Sequence, residues 1–276
     1  MNILYCGDKN IIDGLIISIL SLVKNTNKPL YIYVLTMKYT SNEKKYEQMP
    51  MSYIKLLDGI VKNKNKDSFV KLYDITDIVS KCMPSANLDT RFTPYCMLRL
   101  YADEIDDIPD KILYLDNDVV CLNDPETFYN IDNEKYELVG VLDFYGSHLF
   151  KQKVYCKDYL NSGVLLLNMN LIKKTKLFED ARNRCQTTKM FLPDQTALNI
   201  LSKHKLIVSR RFNEQHKINK DTIFRHYSTT FKFWPKIHTQ TIKPWHIDNL
   251  HDILKDHEFD DILENYLKIK GEFENE

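Results

Sequence analysis

Two aspartates, Asp116 and Asp118, directly follow the apolar run Ile112–Leu115 and form the only Asp-x-Asp in the chain. Because residues two apart in an extended strand project to the same side, we expect both carboxylates to face one point at the strand's carboxyl end, where open α/β sheets bind ligands. Like charges this close repel unless a cation lies between them, and carboxylate oxygens suit Mg²⁺ or Mn²⁺. The pattern predicts a divalent metal site, and the alternative is a polar turn that only ends the strand.

The elements that would position this pair alternate between strand and helix. We predict strands at Ile3–Cys6, Leu30–Leu35, Phe69–Tyr73, Ile112–Leu115, Leu138–Leu142, Val164–Asn168 and Leu206–Val208. We predict helices at Ile11–Lys24, Ser41–Lys55, Thr93–Glu104, Leu171–Thr187, Asp194–Ser202 and Asn249–Tyr266, and a solvated loop at Lys62–Asp67. This alternation predicts an α/β fold with a mostly parallel sheet covered on both faces. No linker or repeat is visible, so we predict one domain over residues 1–276, with a helical extension from about 249 to 276.

Composition excludes several classes of protein. The 276 residues carry 38 basic and 38 acidic side chains, whereas a nucleic-acid-binding protein would be basic. The seven glycines include no G-x-G and no G-x-x-x-x-G-K, so the dinucleotide and P-loop motifs are absent. The six cysteines form no C-x-x-C pair and suit a reducing compartment. The most apolar stretch, Ile11–Val23, is too short to span a bilayer. We therefore expect a cytoplasmic protein without a transmembrane segment; peripheral contact with the inner face of a membrane stays open, as does the oligomeric state.

Five further segments accompany the Asp-x-Asp in a characteristic order. Ile112–Val120 resembles the signature of family 8 glycosyltransferases, the retaining enzymes related to bacterial lipopolysaccharide galactosyltransferases and to glycogenin. The other matching segments are Asn2–Asn10, Arg99-Leu100, Leu160–Asn168, Asp194–Asn199 and Lys243-Pro244-Trp245. The resemblance spans residues 2 to 246 and implies a GT-A fold, which is a Rossmann-like nucleotide-sugar-binding domain. It also implies a Mn²⁺ or Mg²⁺ cofactor, UDP-glucose or UDP-galactose as the donor, and a glycan, glycolipid or protein acceptor, such as a cell-surface polysaccharide precursor.

The resemblance also assigns roles to individual residues. Asp194 binds the sugar hydroxyls, Gln195 lies near the reacting carbon, and Arg99 touches the donor. Nucleotide-sugar contacts fall on Cys6, Gly7, Asp8, Asn10, Arg99, Asp116, Asn117, Asp143, Asn161, Ser162, Gly163 and Lys243. Simpler interpretations exist for several of them: a helix cap for Asp8, Asn10 and Asp194, a surface ion pair for Arg99, and a strand-end turn for Asp143. We expect Gly163 to let the backbone approach the sugar closely.

The third metal ligand is where the sequence departs from the family pattern. The family has a histidine about six residues before Lys-Pro-Trp, whereas His226 precedes Lys243 by 17 residues. The intervening insert, Ser228–Ile242, contains a second candidate, His238. We prefer His226, because a strand-like apolar run precedes it. The predicted metal ligands are therefore Asp116, Asp118 and His226.

These residues suggest a specific reaction and two rival functions. A metal and Lys243 would neutralise the leaving UDP, while Gln195 is a poor nucleophile, so retention of configuration fits a front-face reaction. One rival is a non-catalytic or degenerate nucleotide-sugar-binding homologue. The other is a sugar nucleotidyltransferase, which usually needs a glycine-rich N-terminal loop that Gly7 alone does not supply.

Overall fold

A central sheet of seven strands organises the protein, for which a computed structural model describes all residues except 41–44, 89, 91–92, 145–157, 233–237 and 275–276. The strands are β1 (Asn2–Cys6), β2 (Tyr31–Thr36), β3 (Phe69–Asp74), β4 (Lys111–Leu115), β5 (Leu138–Leu142), β6 (Leu160–Asn168) and β7 (Lys205–Ile207). Their order is β7-β5-β6-β4-β1-β2-β3, and only β6 runs antiparallel to its two neighbours. The predicted α/β fold with a mixed, mostly parallel sheet is confirmed.

Helices cover both faces of this sheet. The α-helices are α1 (Ile12–Asn25), α2 (Met51–Lys64), α3 (Thr76–Lys81), α4 (Glu126–Tyr129), α5 (Met169–Thr175), α6 (Leu177–Thr187), α7 (Pro193–Leu201), α8 (Ile247–Asn249) and α9 (Asp260–Glu274). The 3₁₀ segments are Lys9–Ile11, Ser85–Asn87, Pro94–Glu104 and Arg210–Phe212, and Leu250–Leu254 forms a π-turn. Three short antiparallel ribbons pair Tyr39–Thr40 with Lys45–Tyr46, Val119–Cys121 with Phe224–His226, and Thr230–Lys232 with His238–Gln240.

Strand β4 is buried on both faces, as its uninterrupted apolar sequence predicts. Leu113 and Leu115 join the core beneath α1, α2 and α9. Ile112 and Tyr114 point the other way, into the core beneath the Pro94–Glu104 segment, α6 and α7. Alternation along a strand therefore directs Tyr114 towards the face that carries Arg99.

The helix predicted at Ser41–Lys55 is wrong in its bounds: residues 41–44 lie outside the described residues, Lys45–Tyr46 is a short strand, and the helix α2 begins at Met51. Pro50 is its N-cap residue, and proline is unfavourable inside a helix, so the helix begins after it. Its buried side chains Ile54, Leu57 and Val61 lie at helical spacing and carry the helix on to Lys64. The loop predicted at Lys62–Asp67 therefore begins three residues later.

Two segments predicted as single helices are interrupted by residues with left-handed backbone. Lys176, with a φ of 62°, separates α5 from α6 within the predicted helix Leu171–Thr187. Lys255, with a φ of 54°, ends the π-turn in the predicted helix Asn249–Tyr266, and α9 begins only at Asp260. Lysine at either position carries no left-handed signal of the kind that glycine would give.

Helix α9 brings the end of the described chain back onto α1. Ion pairs join Lys24 to Asp261 at 2.7 Å and Lys270 to Asp13 at 2.9 Å, at opposite ends of the contact. Within the described residues, no helix has both the length and the apolar character needed to cross a membrane.

Candidate active site

The Asp-x-Asp lies in a turn at the carboxyl end of β4. The amide of Asp116 donates to the carbonyl of Gly163 at 2.8 Å, and the amide of Val119 donates back to the carbonyl of Asp116 at 3.2 Å. The expectation of extended backbone here is therefore wrong: the chain turns between β4 and the short strand Val119–Cys121. The turn nevertheless directs both carboxylates towards the same histidine.

That histidine is His226, which ends the strand paired with Val119–Cys121 and lies directly opposite Val119. Its Nε2 atom is 3.3 Å from Asp118 Oδ1 and 3.8 Å from Asp116 Oδ2. Ligand atoms of the three side chains all lie within 4.8 Å of one another. His238 lies instead in the exposed strand His238–Gln240 and is not part of this cluster.

Asp118 is buried, at 6% exposure, and is surrounded by positive charge. The Lys243 ammonium donates to its Oδ2 and, at 3.1 Å, to the carbonyl of Tyr227. Burial alone would raise the pKa of Asp118, but Lys243 and His226 outweigh it and hold the pKa well below its ordinary value. The other oxygen, Oδ1, is buried beside His226 Nε2 and, when that nitrogen is unprotonated, accepts no hydrogen bond from the described residues; a cation would then satisfy it.

A chain of amides fixes the tautomer of His226. Because a carboxylate only accepts, Asn161 must direct its NH₂ at Asp143 Oδ2 (2.9 Å), which leaves Asn161 Oδ1 to accept from Asn213 Nδ2 (3.0 Å). The oxygen of Asn213 therefore faces His226 Nδ1 at 3.2 Å. When the ring is neutral, that nitrogen carries the proton and the lone pair of Nε2 faces Asp116 and Asp118. Three electron-rich groups facing one point fit a bound cation.

Arg99 lies in the interior at 2% exposure, so the alternative of a surface ion pair is wrong. Its guanidinium donates to Asp116 Oδ1 at 3.0 Å and to the carbonyl of Ser162, and its Nε is 3.3 Å from Asp194 Oδ2. It also lies 3.7 Å above the ring of Tyr114, whose hydroxyl donates to Asp116 Oδ1 at 2.6 Å. Burial opposes the charge on Arg99, yet Tyr114, Asp194 and Asp116 together raise its pKa.

Gln195 has both ends of its amide engaged. Its oxygen accepts from the amide (2.9 Å) and the hydroxyl (3.2 Å) of Ser162, and its nitrogen donates to Asp143 Oδ2 at 3.1 Å. Asp194 beside it is 5% exposed, and burial raises its pKa although Arg99 opposes the rise. Leu192 is the N-cap position of α7, so the N-cap alternative for Asp194 is wrong.

These side chains surround a cavity of about 310 Å³, within the size range of small-molecule sites. Sequence reasoning identified many of its lining residues: Cys6, Arg99, Asp116, Asn117, Asp118, Asp143, Asn161, Ser162, Asp194, Gln195, His226 and Lys243. It missed others: Ile11, Thr93, Tyr95, Cys96, Tyr114, Phe191, Leu192, Gln215, Ser228 and Thr229. Only Tyr114 carried a signal, because it lies two residues before Asp116 in the same strand. The rest come from loops and helix starts that no local pattern connects to the site.

Four predicted contact residues do not line this cavity: Gly7, Asp8, Asn10 and Gly163. Asp8 accepts from the backbone (3.1 Å) and side chain (2.7 Å) of Asn10, which makes it the cap of the adjoining 3₁₀ turn. A Cβ atom on Gly163 would lie 2.2 Å from His226 Cε1 and 2.8 Å from Asp116 Oδ2. The glycine therefore makes room for His226, and the close approach of its backbone to a sugar stays a prediction.

The chain is similar in sequence and in fold to known proteins. Residues 2–247 match the sequence profile of glycosyl transferase family 8. The lipopolysaccharide 1,2-glucosyltransferase of Escherichia coli is 26% identical, over 89% of this chain and 73% of its own length. The lipopolysaccharide 1,3-galactosyltransferase of Salmonella typhimurium is 26% identical, over 84% of this chain and 72% of its own. The crystal structure of galactosyltransferase LgtC with donor and acceptor sugar analogues superimposes with a TM-score of 0.68 at 17% identity, covering 99% of this chain and 96% of that one. The GT-A fold expected from the sequence is confirmed.

Proposed function

This chain belongs to glycosyl transferase family 8, and we propose that it transfers glucose or galactose from a UDP-sugar to an acceptor, with a divalent metal and with retention of configuration. The observation that carries the proposal is the convergence of Asp116, Asp118 and His226 in the cavity that also contains Lys243 and Arg99. A lone Asp-x-Asp is compatible with a simple turn, but a buried histidine nitrogen beside both carboxylates, inside the same cavity, supports a metal site.

Asp116, Asp118 and His226 are the residues that would hold the metal, with Mn²⁺ preferred because imidazole joins two carboxylates. Bound there, the ion would supply Lewis-acid stabilisation of the departing diphosphate. Lys243 is the second source of positive charge. Its ammonium now neutralises Asp118, and a metal on Asp118 would free it to donate to a phosphate oxygen instead.

Arg99 holds two carboxylates of the site in fixed positions. It forms ion pairs with both Asp116 and Asp194, and so it fixes a proposed metal ligand relative to a carboxylate that faces the sugar. Asp194 and Asn161 line the cavity and offer the acceptor and donor atoms that sugar hydroxyls need. We assign them to the donor sugar.

Gln195 is held in a way that supports a front-face reaction. The only atom it could use as a nucleophile, its amide oxygen, already accepts two hydrogen bonds from Ser162. We therefore infer that the acceptor hydroxyl attacks from the side on which the diphosphate leaves, without a glycosyl-enzyme intermediate at this residue. Proton NMR of early product should show an α-linkage, and a β-linked product or a sugar adduct on Gln195 would contradict this mechanism.

The relatives suggest the acceptor class. Two of them are lipopolysaccharide glucosyl- and galactosyltransferases, so we propose a hexose-bearing glycan or glycolipid of a cell-surface polysaccharide as the acceptor. The donor test is UDP release from a panel of UDP-sugars with Mn²⁺. Release from UDP-glucose or UDP-galactose is expected. Tight UDP binding without turnover would favour a degenerate binding protein, and formation of UDP-sugar from sugar-1-phosphate would favour a nucleotidyltransferase.

The Asp118→Asn variant tests the metal site directly. It removes one charge from the cluster without changing side-chain volume, so we expect loss of transfer and weaker UDP binding in Mn²⁺ while the protein stays folded. Equal UDP affinity of wild type and variant, with and without EDTA, would rule out a metal bridge at this position.

A further inference from the structure

Two histidines and an aspartate converge at a second place, outside the cavity. His251 Nε2 lies 2.8 Å from Asp260 Oδ1, and His257 Nδ1 lies 2.9 Å from Asp260 Oδ2. The two imidazole rings stack with centroids 4.3 Å apart and planes inclined by 23°. Ligand atoms of all three side chains lie within 4.8 Å of one another. Both rings thus direct a nitrogen at one carboxylate from the same side.

An irregular backbone produces this convergence. His251 lies in the π-turn Leu250–Leu254, a form of helix often found at functional sites. Lys255 then adopts a φ of 54°, which reverses the chain so that His257 returns to His251. The buried carboxylate of Asp256 anchors this reversal, because it accepts from the hydroxyl of Tyr227 and from the amide of Glu258. A left-handed lysine is costly, so the surrounding contacts must hold it in place.

We propose that His251, His257 and Asp260 form a divalent transition-metal site that takes Zn²⁺ or a similar ion. Two neutral imidazoles and one carboxylate are a typical three-residue ligand set for Zn²⁺, with water in the remaining position. The side chains are 29%, 58% and 41% exposed, so solvent reaches the open position. Ligand atoms this close need only small side-chain rotations to reach an ion at about 2.0–2.2 Å.

The ion would join two parts of the chain. His251 precedes the reversal, whereas Asp260 is the first residue of α9, the helix that packs on α1. Binding would therefore fasten α9 to the turn before it and stabilise the folded state by mass action. This site is separate from the Asp116 cluster and does not depend on the proposed transferase activity.

The test is calorimetric titration of Zn²⁺ into untagged protein carrying Asp118→Asn, which weakens the other metal cluster. One equivalent should bind. Adding His257→Ala to this protein should weaken Zn²⁺ binding by roughly 100-fold or more. Residues that only hydrogen-bond to the ligands of a metal site already contribute about 10- to 100-fold to its affinity, and a ligand itself should contribute at least as much. Adding His204→Ala, at an exposed histidine elsewhere, should change nothing.

A second variant separates a metal site from a simple hydrogen-bonded contact. His257→Asn retains an NH donor for Asp260 but lacks the imidazole, so it should keep the thermal midpoint without metal and lose the rise that Zn²⁺ produces. In NMR spectra of the parent, the imidazole signals of His251 and His257 should shift together at one equivalent. Absence of saturable binding, or binding that both His257 variants leave intact, would overturn the proposal.

Discussion

At the scale of single residues, the site depends on which way each side chain is oriented as much as on which side chains are present. Asp143 lies two amides away from His226, yet its carboxylate dictates the orientation of Asn161, then of Asn213, and hence the tautomer of His226. Residues outside the proposed metal site therefore influence which nitrogen of a neutral His226 carries the proton.

Asn213→Ala tests this dependence. Without its oxygen, His226 Nδ1 loses its acceptor, and the ring is free to place a proton on Nε2. We expect Mn²⁺ affinity, measured by titration in the presence of UDP, to fall about 10- to 100-fold. Asn219→Ala, at an exposed asparagine in the same loop region, is the matched control. Unchanged Mn²⁺ affinity in Asn213→Ala would show that the amide chain does not matter to the ligand.

Replacing the two histidines one at a time tests the ligand assignment across the insert. His226→Ala removes a proposed ligand of the metal that would stabilise the leaving diphosphate, which we expect to cost roughly 10²–10³-fold in rate. His238→Ala, in an exposed strand, should leave the metal requirement of the reaction unchanged. A raised Mn²⁺ requirement in His238→Ala alone would move the assignment to His238.

At the scale of elements, the closeness of α1 to the Asp-x-Asp turn depends on one glycine. A Cβ atom at Gly14 would lie 2.4 Å from the carbonyl oxygen of Asn117 and 2.7 Å from the ring of Trp245. The helix, the turn and the Lys-Pro-Trp segment thus meet at a point with no room for a methyl group. This packing holds the Lys-Pro-Trp segment, and with it Lys243, beside the Asp-x-Asp turn, in addition to the ion pair between Lys243 and Asp118.

Gly14→Ala and Gly59→Ala form a matched pair of helix substitutions. Alanine favours a helix over glycine by about 1 kcal/mol, and Gly59 in α2 has open space around it, so Gly59→Ala should be neutral or stabilising. Gly14→Ala should instead lower the thermal midpoint and reduce transfer, because the turn must shift. A stabilised, fully active Gly14→Ala protein would contradict the close packing.

The same elements show what sequence alone can predict. The strand β4 and the Asp-x-Asp are recognisable from local sequence alone, whereas the pair Asp194–Gln195 is recognised through the family resemblance. The antiparallel direction of β6 is set by its pairing with another strand, and no local pattern predicts it. Because of this direction, the first residues of β6, rather than its last, lie beside Asp116. The reason for Gly163 and the role of Asn213 likewise depend on contacts between distant segments, whereas the start of α2 follows from Pro50.

At the scale of the whole molecule, the strand β7 lies at an edge of the sheet and pairs on one side only, with three residues of β5. Glu137, which directly precedes β5, makes additional contacts with the residues that lead into β7. Its Oε2 accepts from the hydroxyl of Ser202 at 2.7 Å and from the amides of Lys203 and His204 at 3.0 and 3.1 Å. One carboxylate therefore joins the connection between α7 and β7 to the start of β5.

This contact predicts how unfolding depends on pH. Burial raises the pKa of Glu137, but hydrogen bonds from Thr175, Ser202 and two backbone amides outweigh burial and lower it below the ordinary value of 4.5. The folded state therefore binds fewer protons here than the unfolded state. The stabilisation is complete above the ordinary pKa and is lost as the pH falls through the lower pKa of the folded protein.

Glu137→Gln should consequently destabilise the protein at pH 7 and much less in acid. Hydrogen bonds to a charged group contribute about 1.5–3 kcal/mol, and glutamine retains only a neutral acceptor, so we expect a loss of about 1–3 kcal/mol at pH 7. The thermal midpoints of variant and wild type, measured from pH 7 downwards, should converge as Glu137 becomes protonated. Glu134→Gln, at an exposed position in the preceding loop, should follow the wild type throughout. A difference between Glu137→Gln and wild type that stays constant with pH would mean that the carboxylate's charge is not what holds the edge of the sheet.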